Sequence, residues 1–157
     1  MKIQECNYRI TKLESYDTPP YDLLLLADPS KDIIDEYLKR GICYVCKTNE
    51  IVGVYVLLNT RPKTMELVNV GVREDMQRKG IGRILVQDAI RKAKESNMET
   101  LEIGTGNSSL GQLALYQKCG FRIVGVDKDF FIRHYDEEII ENGIKCVDMI
   151  RLSMDLN

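Results

Sequence analysis

The sequence predicts a mixed α/β (α+β) fold: a mostly antiparallel sheet of six to seven strands with helices on both faces. Three observations predict it. Runs with strand and helix periodicity follow in the order β-α-α-β-β-β-α-β-α-β-β, in which neighbouring strands are joined directly as often as through helices. A central stretch, residues 66–82, passes from strand alternation to helical spacing across a short charged loop. Composition is that of a globular domain, 44% hydrophobic and 29% charged over 157 residues, which suits one domain over residues 1–157 with a core of its own.

In chain order, residues 7–13 fit a first strand, and Pro19-Pro20 break it off. Tyr21–Ala27 carries helix formers. Ser30 is placed to cap a helix running to Lys39, with Gly41 just past its end. Ile42–Lys47 and residues 50–58 form a hairpin across Thr48-Asn49, and Arg61-Pro62 marks the turn into the central strand. After the long helix, residues 99–104 read as another strand. Ser109-Leu110-Gly111-Gln112 fits a capping box, Ser109 at the N-cap and Gln112 at the third position; its helix reaches Cys119 and stops at Gly120. Residues 121–127 and 146–154 are the last strands, joined through residues 130–143, where Asn142-Gly143 marks a turn.

In the central stretch, period-two alternation puts Glu66, Val68, Val70 and Val72 on one strand face. Residues 73–79 form a charged loop. Gly80 and Gly82 then open a helix whose Ile81, Ile84, Leu85, Ala89, Ile90 and Ala93 make a one-sided apolar stripe. The N–H groups of Arg78, Gly80, Ile81 and Gly82 have no partner at such a start. With Arg78, Lys79 and Arg83 beside them they suit a diphosphate, which a Cβ at Gly80 or Gly82 would hold off the backbone. A Rossmann dinucleotide turn does not fit, although Glu102 lies where a ribose-binding acid would be sought. Its third glycine position is Leu85, and residues 73–79 separate the strand from Gly80.

Gln77-Arg78-Lys79-Gly80-Ile81-Gly82 after Val70-Gly71-Val72 resembles the Q/R-x-x-G-x-G/A signature of the GNAT N-acetyltransferases. Leu115-Tyr116-Gln117-Lys118-Cys119-Gly120-Phe121 resembles the Y-x-x-x-G-F of that family's later helix. Two motifs in order, each on the right kind of element, weigh more than one short match. They cover residues 65–125 well and the flanks in outline. The resemblance implies the GNAT fold with splayed central strands. It also implies acetyl-CoA as cosubstrate, an acetyl group passed directly to a primary amine of a small molecule or protein, and no metal.

The resemblance also implies roles. Gln77, Arg78, Lys79, Gly80, Ile81, Gly82 and Arg83 would anchor the CoA diphosphate. On the strand Val70-Gly71-Val72, the Val70 N–H would polarise the thioester carbonyl as half of an oxyanion hole, and Val72 would contact the pantetheine amide. Glu66 matches the position of a catalytic glutamate in some members, four residues before Val70, and parity puts it on the same face, as a general base requires. Tyr116 would protonate the leaving thiolate; an unperturbed phenol pKa of about 10 matches an alkyl thiol. Many relatives carry N-x-x-A-x-x-x-Y, where this chain has Ser109 in place of the Asn and Gln112 in place of the Ala, so Asn107 and Ser109 are both candidates for the CoA-facing contact. His134, Tyr135 and Asp136 lie in the connection that walls the acceptor site in the GNAT plan. Glu137, Glu138 and Glu141 make it acidic, which either favours a cationic amine or is a solvated charge run.

A net charge of −2 gives no basis for a nucleic-acid partner. The longest pure apolar run, residues 23–27, cannot span a membrane, and residues 1–10 do not resemble a signal peptide; a cytoplasmic protein is expected. The five cysteines, Cys6, Cys43, Cys46, Cys119 and Cys146, show neither a disulfide framework nor a zinc pattern. In a strand Cys43 and Cys46 face opposite ways. Oligomeric state is left open, a homodimer included. Two rival functions are a GNAT-shaped acyl-CoA sensor without turnover, against which Tyr116 speaks, and a toxin-type acetyltransferase of aminoacyl-tRNA, which would favour a basic surface.

Overall fold

The computed structural model describes residues 7–157. Cys6 and the rest of residues 1–6 lie outside the described residues. The elements are β1 (Arg9–Lys12), α1 (Tyr21–Ala27), α2 (Lys31–Arg40), β2 (Ile42–Lys47), β3 (Ile51–Arg61), β4 (Thr64–Val72), α3 (Ile81–Glu95), β5 (Thr100–Gly106), α4 (Leu110–Lys118), β6 (Arg122–Asp127), α5 (Phe130–His134), β7 (Ile140–Glu141), β8 (Ile144–Lys145) and β9 (Met149–Asp155). Seven strands form one sheet in the order β1-β2-β3-β4-β5-β9-β6, antiparallel except for β4–β5, the mixed sheet that was expected. The connection 130–143 holds more than a turn: it contains the short helix α5 and the first strand of the β7–β8 hairpin, whose turn is at Asn142-Gly143.

Local signals set several boundaries as read. Ser30 Oγ accepts the Ile33 N–H at 3.3 Å and caps α2, a contact worth about 1 kcal/mol. The turn before β4 comes one residue later than expected: β3 keeps Arg61, and Lys63 takes a positive φ of 57°. The Ser109 capping box does not form. The Ser109 hydroxyl donates instead to the Glu141 carboxylate at 3.0 Å, a charge-assisted bond that outcompetes the local cap.

The sheet is covered on both faces, which is why β3 is buried continuously from Val52 to Leu58. On one face Leu85, Val86 and Ala89 of α3 pack with Tyr55, Leu67, Leu101 and Leu152. On the other, Leu23, Leu24, Ile34 and Tyr37 of α1 and α2 pack with Val45, Val54 and Val56. Cys43 joins the second cluster and Cys46 the first, so the two thiols do lie on opposite faces.

Two irregularities of β4 shape everything that follows. Its parallel ladder with β5 runs only from Thr64↔Thr100 to Leu67↔Ile103; beyond that β4 stays with β3, β5 with β9, and the strands splay. Against β3, Val56 pairs with Asn69 but Leu57 with Leu67, so Val68 is an extra, bulged residue. The bulge shifts the alternation. Leu67, Val70 and Val72 all face the α3 core, whereas Val68 joins the α1–α2 core. Glu66, next to Leu67 in the regular ladder, therefore points to the α1–α2 side. The expectation that Glu66 and Val70 share a face is corrected: an unbroken period-two count cannot see the inserted residue.

Candidate functional site

The splay opens two adjoining cavities. The first, a cleft of about 370 Å³, lies along Val70, Gly71, Val72, Gln77, Arg78, Gly80, Gly82 and Arg83, with Gly111, Leu115 and Tyr116 opposite. It is a backbone-lined site. From Arg78 to Arg83 no main-chain N–H donates to another described residue, since α3 begins at Ile81 and its first intrahelical donor is Ile84, bonded to Gly80 O at 3.1 Å. Arg78 and Gly80 both have positive φ, 63° and 86°, which turns successive N–H groups toward one concavity of the kind that holds anions. A Cβ at Gly80 would project into open space. At Gly71 the reason for glycine is a close approach: a Cβ there would lie 2.5 Å from the Leu23 carbonyl of α1. Arg78 and Arg83 make no ion pair with a carboxylate among the described residues and stay available to phosphate, whereas Lys79 lies near Asp75. The chemistry of this cradle fits a CoA diphosphate.

Gln77 lines the cleft but commits its amide to Val72 O at 3.0 Å, so it braces the loop. Ile81 is a core residue, 1% exposed, and can offer only its N–H. Lys79 is outside the cleft lining, its ammonium beside Met76. Asn107 is not on either cavity. Its amide donates to Lys145 O and its oxygen accepts from Val147 N and Asp148 N, at 2.8–3.1 Å, pinning β5 to the segment before β9. Ser109 lies in the second cavity, not in the cleft.

The second cavity, about 450 Å³, lies between the end of α1, β4, β5, α5 and β9. Glu66 is on its wall. Burial raises the Glu66 pKa above the usual carboxylate range, partly offset by the Arg151 guanidinium at 3.2 Å. Arg151 is shared with Asp127 at 3.5 Å. Asp28, 7% exposed, accepts from Ser30 N, Tyr135 OH and Tyr37 OH; burial raises its pKa and those donors pull it back. Of the expected cluster His134, Tyr135 and Asp136, only Tyr135 lines the cavity. His134 is exposed and lies tilted against Phe130, and Asp136 is exposed. Asp28 and Arg151 escaped the sequence reading. Asp28 stands before Pro29 with no motif around it, and the one local signal for Arg151 is its place between Ile150 and Leu152 in the last strand.

Leu26, Ala27, Val70, Gln112 and Tyr116 line both cavities. Tyr116 is 5% exposed, packs edge-on against Phe121 with centroids 6.3 Å apart, and has no hydrogen-bond partner for its hydroxyl among the described residues. Burial pushes its pKa above the phenol range. Among the described residues no group of three His, Cys, Asp or Glu side chains could hold a metal, and no helix is long and apolar enough to cross a membrane.

A family model described as the Acetyltransferase (GNAT) family matches residues 4–121. The chain is 62% identical over 149 residues to the Uncharacterized N-acetyltransferase YvbK of Bacillus subtilis (strain 168), covering 94% of this chain and 96% of that one. It is similar to the structure of a GNAT family acetyltransferase from Elizabethkingia anophelis with acetyl-CoA bound, at 52% identity and a TM-score of 0.93, covering 95% and 98% of the two chains. A Bacillus subtilis acetyltransferase in complex with CoA matches at 62% identity and a TM-score of 0.90, covering 96% and 99%.

Proposed function

The chain belongs to the GNAT acetyltransferase family, and on that premise we propose that it moves the acetyl group of acetyl-CoA directly to a primary amine held in the second cavity. The single observation that carries this reading is the shared wall. A cleft fit for CoA and a pocket fit for an acceptor meet at Val70 and Tyr116, where donors to the thioester are needed.

In this reading the N–H groups from Arg78 to Arg83 and the neighbouring cations take the diphosphate. Main-chain groups of β4 beyond Leu67 have no β5 partner, which leaves the Val70 N–H to polarise the carbonyl and Val72 to bind the pantetheine. Glu66, directly or through water, takes the proton of the acceptor ammonium; its raised pKa makes it a better base than an exposed glutamate. The amine nitrogen attacks the carbonyl carbon, a C–N bond forms, the nitrogen releases its second proton to solvent and the C–S bond breaks. The Tyr116 hydroxyl donates to sulfur as charge develops there and gives up its proton, which solvent restores. The products are the N-acetyl amine, CoA thiol and one proton. We read residues 1–157 as one catalytic domain. The four free cysteines of the described chain support a reducing compartment, the cytoplasmic placement expected from sequence.

Thiol release is measured with acetyl-CoA and a panel of primary amines, and the acetylated product is identified by mass. Amine-dependent release is expected. Tight acetyl-CoA binding with no release for any amine would favour the sensor reading instead.

A further inference from the structure

The two edges of the seven-stranded sheet differ in chemistry. At one edge β1 begins with Arg9, ends with Lys12 and exposes no large apolar side chain. Charges of this kind keep an edge strand from pairing with another chain. At the other edge β6 exposes Ile123 by 53%, Val124 by 63% and Val126 by 58%. Between Arg122 and Asp127 it carries neither a charge nor a proline. Its main chain is laddered to β9, and no main-chain group of Arg122–Asp127 bonds to a described residue outside that ladder. Aliphatic surface therefore lies beside an open hydrogen-bonding edge.

The pattern along β6 is self-complementary, and a bulge makes it so. Against β9, Ile123 pairs with Leu152 but Gly125 with Arg151, so Val124 is an extra residue. Ile123 and Val126, opposite Leu152 and Ile150, lie on the face of the α3 core. Arg122 and Asp127, opposite Ser153 and Met149, lie on the other face. An unbroken alternation would put Arg122 and Asp127 on different faces. A second β6 laid antiparallel along the first, about a two-fold axis between Val124 and Gly125, sets Ile123 of each copy beside Val126 of the other on one face. On the opposite face it sets Arg122 of each copy beside Asp127 of the other. Parallel pairing would set Arg122 against Arg122. Arg122 is exposed and makes no ion pair among the described residues. Asp127 accepts from Arg133 at 2.7 Å on Oδ1 but from Arg151 only at 3.5 Å on Oδ2, so the second oxygen can take a closer donor.

We propose that β6 is the seam of a homodimer, in which two copies of this chain pair β6 with β6 antiparallel in that register. Ile123 and Val126 pack across one face of the seam, and two Arg122–Asp127 pairs close the other. The occupant is a second copy because the strand matches its own sequence run backwards, apolar against apolar and cation against anion, as an isologous interface requires. Cross-strand pairs of β-branched residues and of opposite charges both stabilise a sheet. A seam built on one short strand is small, so the dimer is concentration-dependent and not obligate.

Sedimentation velocity from about 1 to 500 μM should show the mass rising from 18.0 kDa toward twice that value. Val126→Lys forces an ammonium into the apolar side of the seam and should raise the dimer Kd at least about tenfold. Val126 is exposed in the single chain, so the variant should fold as the wild type does. Thr11→Lys, on the β1 edge, should leave the Kd unchanged. Register is read by oxidation with diamide. An Ile123→Cys protein mixed with a Val126→Cys protein should link by a disulfide. Neither alone should link beyond the wild-type background, because in this register each position meets the other and not itself. A monomer throughout the concentration range, a dimer untouched by Val126→Lys, or a mixture that links no faster than either protein alone overturns the proposal.

Discussion

The cleft and the second cavity share a wall yet are made in opposite ways. The cleft comes largely from one contiguous stretch, Val70 to Arg83, and works through main-chain N–H groups left free by a helix start. The second cavity takes side chains from in and around α1, β4, α5 and β9, and Asp28, Glu66 and Glu141 on it each have a partner far away in sequence. A main-chain site tolerates most side-chain changes and fails when a Cβ intrudes. A side-chain site is sensitive at every polar position and can change specificity without losing the cofactor.

The sharpest test acts where the two meet. Tyr116→Phe keeps the ring and its packing on Phe121 and deletes the donor. A loss of kcat on the order of 10²–10⁴ is expected with acetyl-CoA affinity nearly unchanged. A variant within about twofold of wild type, with chemistry rate-limiting, would make Tyr116 a core residue.

Glu66→Gln should lower kcat on the order of 10² and remove the acidic limb of the pH–rate profile. The sign follows from the environment. A base must be ionised, so the rate falls as pH drops through its pKa, and burial places that limb above the ordinary carboxylate range. Arg151 pulls the same pKa down, so Arg151→Met should move the limb to higher pH. A limb that stays in place in both variants would assign the base elsewhere.

On the cleft side, Gly82→Phe should weaken acetyl-CoA binding by at least about tenfold while the thermal transition stays cooperative, since a Cβ at Gly82 makes only ordinary contacts with Leu115 and Val72 and the ring beyond it fills the cleft. Undiminished affinity by calorimetry would remove the anchor from α3.

The smallest effects separate neighbours in α5 and just after it. Tyr135→Phe deletes a donor to Asp28 and should lower acceptor kcat/KM by about three- to tenfold with cofactor affinity unchanged. His134→Ala and Asp136→Ala, outside the cavity, should stay within about twofold. Equal effects at all three positions would mean that α5 acts by packing alone.

Much of the molecule was determined by the sequence itself, wherever the deciding partner lies within a turn or two of the chain. Helix α1 and strand β2 run over the residues read for them; Ser30 caps α2 three residues from the N–H it accepts; Gly80 breaks the chain at the start of α3. The free N–H groups before α3 were legible for the same reason, because a helix terminus and its glycines are local facts. Tertiary structure decided the rest. The bulge at Val68 moved Glu66 to the other face from Val70, because strand register is set by the partner strand β3. Ser109 abandoned its own helix for Glu141, and Asn107 was spent on the Val147–Asp148 backbone. The wall of the second cavity depends on pairs such as Arg151 with Glu66, 85 residues apart, and Tyr135 with Asp28, 107 apart. No local pattern encodes such pairs: it takes the folded core to bring them within hydrogen-bond distance, and burial to give their charges weight.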